Sequence, residues 1–255
     1  MTVSEGDPDF VLSLARGLRV IAAFHEKAGG LTVTEAAAET GLSRAAVRRL
    51  LITLESLGYV DRKDSSFRLT SRILRLGFSF ISSSSLARLS LPILEQLSAR
   101  ISESCSVSLL DGGEIVYVAR SAPKRVMTID LGAGSRLPAY CTSMGRVLLA
   151  ALPAAELKGY LKRTTLKRLT PKTVRDRRKL QQAIDRARRL GYALVDQEIE
   201  LGLRSIAVPV VSQTGRTLAA MNSGVHAARV SSEELVERIL PALRDHARVL
   251  GQMLA

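Results

Sequence analysis

The 255-residue chain is 46% apolar and carries 37 Lys and Arg against 24 Asp and Glu, a formal charge of +13. That is enough apolar material for one large or two modest cores, and no apolar run reaches the length of a membrane-spanning helix. Two distant cysteines, Cys105 and Cys141, and three histidines, at 25, 226 and 246, offer neither a disulfide framework nor a zinc-binding spacing, so no metal or cofactor is expected.

Residues 1–9 hold three acids and no basic stretch ahead of an apolar one, so the expected place is the cytoplasm, with no membrane partner. Residues 13–27 set Leu14, Leu18, Ile21, Ala22 and Phe24 at mostly helical spacing before Gly29 and Gly30, which predicts a supporting first helix. Thr32 and Glu35 form a capping box that starts a second helix. Gly41 then suits a sharp turn, and Ser43 caps a third helix. In that third helix Val47, Leu50, Leu51 and Leu54 make one buried stripe, leaving Arg44 and Arg48, with Arg49 beside them, on the outer face. Two arginines one turn apart at the start of an exposed helix fit a recognition helix in a major groove, and they also fit a solvated face. Residues 58–69 give two short extended pieces around a polar turn, a two-stranded wing on which Arg62, Lys63 and Arg68 suit phosphate contacts or plain solvation.

Charge follows the same division. Residues 1–39 hold three Lys or Arg and six acids, and residues 40–75 hold eight and three. A larger excess, thirteen against six, lies at 151–200 and includes Lys158, Lys162, Arg163, Lys167, Arg168, Arg177, Arg178, Lys179, Arg186, Arg188 and Arg189. It reads as the solvated side of surface helices, with non-specific attraction to DNA or a subunit contact as the alternatives.

Residues 73–80 look helical, and the serine run at 82–85 marks a hinge. Beyond it, an amphipathic helix at 86–102 precedes strand-like pieces at 106–110, 114–119 and 126–131, a helix at 143–151 and another at 176–190. Strands at 192–195, 205–211 and 218–222 follow, then a closing helix that opens with the capping box Ser231 and Glu234. The organisation expected is a DNA-binding domain at 1–81, a linker and helix at 82–102 and an α+β domain at 103–255. At 136–149 a proline-bearing loop runs into a helix with Thr142 and Ser143 at its cap and Arg146 one turn in. A small carboxylate would suit such an N-terminus, and so would ordinary capping.

This arrangement resembles the IclR family of bacterial transcription regulators, over residues 10–254. The segments Ser13-Leu-Ala-Arg-Gly-Leu18, Gly41-Leu-Ser-Arg-Ala-Ala-Val-Arg-Arg-Leu50 and Leu137-Pro-Ala-Tyr-Cys-Thr-Ser-Met-Gly-Arg-Val-Leu-Leu-Ala150 look like the subgroup that regulates aromatic degradation through the β-ketoadipate pathway, the Pca and Pob type. Residues 202–210, preceded by Asp196 and Glu198, and 220–223 also match the family pattern. The resemblance implies a two-domain α+β fold, an N-terminal winged helix-turn-helix with a C-terminal GAF-like effector-binding domain. It points to Thr142, Ser143, Met144, Gly145, Asp196, Ser205, Asn222 and Ser223 as effector-pocket residues. It also implies a homodimer or dimer of dimers on a palindromic double-stranded DNA operator, responding to a small organic acid. A regulator without effector, its C-terminal domain serving only assembly, is the alternative. An enzyme using Cys141 or Ser143 with His226 or His246 lacks any supporting motif, and none is expected.

Overall fold

The computed structural model describes residues 5–24, 29–77, 84–123 and 131–254. The predicted stretches at 25–27, 78–80, 82–83 and 126–130 therefore lie outside the described residues. The chain divides into two compact units, Met1–Ser83 and Ser84–Ala255.

In the first unit, helices α1 (Leu12–Ala22), α2 (Val33–Thr40) and α3 (Arg44–Ser56) pack with a small antiparallel sheet. Its strands are β1 (Leu31–Thr32), β2 (Val60–Lys63) and β3 (Ser66–Leu69), in the order β1-β3-β2. The capping box forms in full: Thr32 Oγ1 accepts from the Glu35 amide at 3.2 Å, and Glu35 Oε2 accepts from the Thr32 amide at 2.9 Å. Gly41 ends α2 with φ +69°, a left-handed conformation that costs glycine little, and Ser43 Oγ then caps α3 by accepting from the Ala46 amide at 3.2 Å. Val47, Leu51 and Leu54 close on Val20, Leu31 and Phe67 to make the core.

Two expectations need correction here. Leu14 and Leu18 are 62% and 54% exposed; Phe24 is buried as expected, and Val20 and Ala23 carry the rest of the burial. The wing has three strands, because Leu31 pairs with Phe67, and a two-residue strand is too short to display alternation in sequence.

The second unit is built on a six-stranded antiparallel sheet, β4 (Ser104–Asp111), β5 (Glu114–Ser121), β6 (Arg136–Pro138), β7 (Ala193–Asp196), β8 (Leu203–Val211) and β9 (Thr217–His226), in the order β6-β5-β4-β9-β8-β7. Its helices are α4 (Ser85–Ile101), α5 (Ser143–Ala151), α6 (Ala154–Arg163) and α7 (Arg177–Leu190). A closing stretch runs from Ser232–Glu234 through a π-helical turn, Leu235–Ile239, into α8 (Leu240–Met253).

Strand side chains alternate between faces, so Val107, Ile206 and Met221 enter one core with Leu94 and Leu97 of α4 and Leu243 of α8. Ala207 and Ala220, one position along, enter the opposite core with Met144 and Leu149 of α5 and Ile184 of α7. Helix α4, assigned from sequence to a linker, is thus part of this unit: an apolar face holding Leu94, Leu97 and Ile101 has to be covered by the sheet. Among the described residues no helix is long and apolar enough to cross a membrane.

Candidate functional sites

On the first unit, Arg44, Arg48 and Arg49 are exposed at the start of α3, and Arg44 and Arg48 stand one turn apart beside the Ser43 cap. Helix α2 and a three-residue turn deliver that first turn outward, while Val47, Leu51 and Leu54 hold the inner face. The other predicted residues are partly used by the fold. Thr32 is spent on its cap, Arg62 donates from Nε to the Asp64 carbonyl at 3.3 Å and lies 5.8 Å from the Phe67 ring centroid, and Arg68 donates to the Gly29 carbonyl at 3.3 Å. Lys63 is exposed near the wing tip. Arg72, which the sequence reading passed over, binds the Leu57 carbonyl and ties the base of the wing to the end of α3.

In the second unit a small cavity of about 40 Å³ lies between the sheet and the start of α5. Thr142, Ser143 and Met144 form one wall, and Ser205 and Asn222 stand on the sheet floor with Ser106, which lies opposite Asn222 in the β4–β9 register. Thr142 Oγ1 accepts from the Gly145 amide at 3.1 Å, and the Ser143 and Met144 amides ahead of it have no intrahelical acceptor, as at any helix start. Ser143 Oγ and Asn222 Oδ1 are buried with no hydrogen-bond partner among the described residues. Arg120 of β5 also lines the cavity, half-buried and without a paired acid among the described residues.

The four remaining predicted residues lie elsewhere. Arg146 is 5% exposed and turned away: Nε donates to the Tyr140 carbonyl at 3.1 Å, and the guanidinium meets Glu198 Oε2 at 2.7 Å. Glu198 itself walls the cavity and accepts from the Val174 amide at 3.0 Å. The pair therefore fastens the loop after β7 to α5 rather than presenting a cation to a ligand. Gly145 is a packing residue, since a Cβ there would stand 2.1 Å from the Ala139 carbonyl oxygen. Asp196 braces β7 and β8. Burial raises its carboxyl, but bonds from Lys172, Arg204 and Gln197 outweigh that and hold it at about 2. Ser223 sits one residue from Asn222 and opposite Cys105, on the other face of the sheet.

Tyr117, Arg120, Leu137 and Glu198 are lining residues the sequence reading missed as such. The alternating pattern of β5 carried the signal for Tyr117; nothing local marked Arg120.

Neither cysteine is an activated nucleophile: burial pushes the Cys105 and Cys141 thiols up to about 12. His226 accepts from the Ala228 amide, and His246 lies against the Ala242 carbonyl on α8.

Two family descriptions cover this chain, an IclR helix-turn-helix domain at residues 13–64 and a bacterial transcriptional regulator IclR C-terminal domain at residues 78–251. The chain belongs to the IclR family. It is 45% identical to the Pca regulon regulatory protein of Pseudomonas putida, over 98% of this chain and 86% of that protein. It is 40% identical to the p-hydroxybenzoate hydroxylase transcriptional activator of Acinetobacter baylyi, over 96% and 92%.

Among solved structures, a transcriptional regulator of Rhodococcus sp. RHA1 superposes with a TM-score of 0.82 at 48% identity, covering 96% of this chain and 98% of that one. The inducer-binding domain of Acinetobacter PobR, a double mutant in complex with 3-hydroxybenzoic acid, superposes with a TM-score of 0.64 at 36% identity, covering 67% of this chain and all of that domain. This protein is accordingly a DNA-binding regulator of the IclR type, and its close relatives regulate aromatic-acid genes.

Proposed function

We propose that this regulator takes a hydroxybenzoate or a neighbouring β-ketoadipate-pathway acid in the cavity at the start of α5. What carries this reading is the pair of buried, unpartnered polar atoms on its wall, Ser143 Oγ and Asn222 Oδ1. A buried polar group without a partner costs about 1–3 kcal/mol, so each wants a guest that can bond to it. The start of α5 and Arg120, which has no paired acid among the described residues, supply the positive potential that suits a carboxylate, and Tyr117 and Leu137 the apolar walls that suit a ring. The PobR domain holding 3-hydroxybenzoic acid and the two aromatic-acid regulators among the relatives support the same class of ligand.

A guest the size of benzene needs about 150 Å³, several times the volume open here, so binding requires the walls to part. A ligand that binds only the parted arrangement shifts the population toward it, which is how occupancy becomes a signal. Ser143→Ala is expected to leave the ligand-free protein as stable as before or slightly more so, and to weaken hydroxybenzoate binding about tenfold. Isothermal titration and thermal unfolding of the same preparations check both halves; equal affinity for the two proteins would remove Ser143 from the site. If no acid in a panel of protocatechuate, 3- and 4-hydroxybenzoate and β-ketoadipate raises the unfolding temperature while the operator still binds tightly, the regulator works without an effector.

For the DNA face we propose that Arg44 and Arg48 reach base edges or phosphates while Arg49, Lys63 and the rest of the wing hold the backbone. Arg44→Ala is expected to cost about 1–3 kcal/mol of operator binding and to relax preference at one base pair, as measured by anisotropy on a set of single-position operator variants. A loss uniform across those variants would mark a phosphate contact.

We further propose a homodimer or dimer of dimers on a palindromic operator, acting in the cytoplasm and without enzymatic activity. Val11, just ahead of α1, and Leu14 and Leu18 on it support the pairing: they are exposed and apolar at helical spacing, which suits a second copy. The buried thiols and the absence of both histidines from the cavity lining support the lack of catalysis.

A further inference from the structure

Most of the positive charge of this regulator lies outside its DNA-reading motif. Residues 84–255 hold 26 Lys and Arg against 15 acids, whereas residues 1–83 hold 11 against 9. Most of that excess falls on α6, α7 and the loop between them, where all thirteen Lys and Arg of residues 151–200 are exposed. Four of the six acids of the same segment are engaged within the unit: Asp176 caps α7, Asp185 accepts from Gln181 at 3.0 Å and lies 3.9 Å from Arg188, Asp196 pairs with Lys172 and Arg204, and Glu198 is buried against Arg146.

Between α6 and α7 runs an open groove of about 460 Å³ lined by Lys158, Lys162, Arg177 and Arg188 with Leu157 and Leu161; Asp185 stands beside it, bonded to the lining Gln181 and 3.9 Å from Arg188, and the lining itself keeps an excess of cations. Lys158 and Lys162 stand one helical turn apart. Arg177 is held by the carbonyls of Lys162 and Thr164, and Arg188 by those of Ala150 and Leu152, so two of the four cations are fixed in place. Surfaces that need only solubility intersperse both signs, and a concentrated single-sign face is what attracts an opposite polyion.

We infer that this groove binds the phosphate backbone of duplex DNA, so that the sensor unit adds a sequence-independent contact to the one made by the helix-turn-helix. Lys158 and Lys162 neutralise phosphates and release counterions, while Arg177 and Arg188 present pre-set cations beside them. The contact raises affinity for any duplex and carries no base preference.

The test is a KCl titration of the full-length protein on a fluorescent duplex of random sequence, followed by anisotropy. The variants are Lys158→Gln/Lys162→Gln and, as a control of equal charge loss, Arg216→Gln/Arg248→Gln on exposed positions outside the groove. Neither groove lysine makes a side-chain hydrogen bond or ion pair among the described residues, and matching circular dichroism melts verify intact folding of both pairs. The groove pair should lower the slope of log K against log salt by about 1.8 and weaken binding roughly tenfold at 0.1 M salt, with the control nearly unchanged. Equal losses for both pairs would reduce the effect to net charge, and no loss for either would leave the groove solvated; each overturns the proposal. So would a groove-specific loss confined to phosphatidylglycerol vesicles, which would make the partner a membrane surface.

Discussion

Glu198→Ala is expected to destabilise the C-terminal unit by about 3–5 kcal/mol. The carboxylate meets the Arg146 guanidinium at 2.7 Å with both side chains almost wholly out of solvent, and removing it strands a buried cation whose remaining partner is the Tyr140 carbonyl. The Val174 amide loses its acceptor in the same step. Thermal unfolding followed by circular dichroism should register a fall of about 10 °C or more for a unit of this size. Arg146→Met/Glu198→Leu, which removes both charges and keeps apolar volume, is expected to recover most of that loss, because the penalty belongs to the unpaired charge and not to the missing pair. A single-variant loss under 1 kcal/mol would mean that water reaches Arg146. Since Glu198 also walls the cavity, the double variant separates fold from sensing: it should melt near the parent temperature and still respond weakly to acids.

Gly145→Ala is the second large effect, a loss of at least about 3 kcal/mol together with loss of acid binding. The new Cβ would fall 2.1 Å from the Ala139 carbonyl oxygen and 2.4 Å from its Cα, both backbone atoms of the turn that feeds α5, so no rotamer change can relieve the overlap. Moving the turn displaces Thr142, Ser143 and Met144, which line the cavity. Gly224→Ala is the contrasting substitution on the same cavity: its Cβ would meet Leu203 Cδ1 at 3.7 Å, an ordinary contact, and its melt should stay near the parent. An unaltered melting temperature for Gly145→Ala would show that the turn and α5 can separate freely.

The two glycines look alike in sequence. Each follows a serine by one or two residues, and only the approach of the Ala139 backbone distinguishes the indispensable one from the replaceable one. The same division runs through the sites. Thr32 with Glu35, Ser43 before α3 and Thr142 before α5 were legible because a cap acts over three residues and its donor and acceptor lie within one helical turn. The short approach of Leu31 to Phe67 and the helix α6 were not: the first has no period to detect, and the second was masked by a run of charge over the apolar positions Leu157, Tyr160 and Leu161.

The chain sequence by itself determined the helix-turn-helix, the exposed arginine pair of α3, the alternating strands of the second unit and the capped start of α5, because each is set by bonds and side-chain spacing within a few residues. The tertiary structure decided what those elements do together. Local sequence offers Arg146 to a carboxylate ligand, whereas in the fold its guanidinium meets Glu198, 52 residues away. Strand register set Ser106 beside Asn222, while the pleat turned Ser223, a single residue further, to the opposite face. Local hydrogen bonds choose helices and strands, but a cavity is assembled from the ends of segments far apart in the chain, and its lining follows from register, pleat parity and packing that no short window of sequence contains.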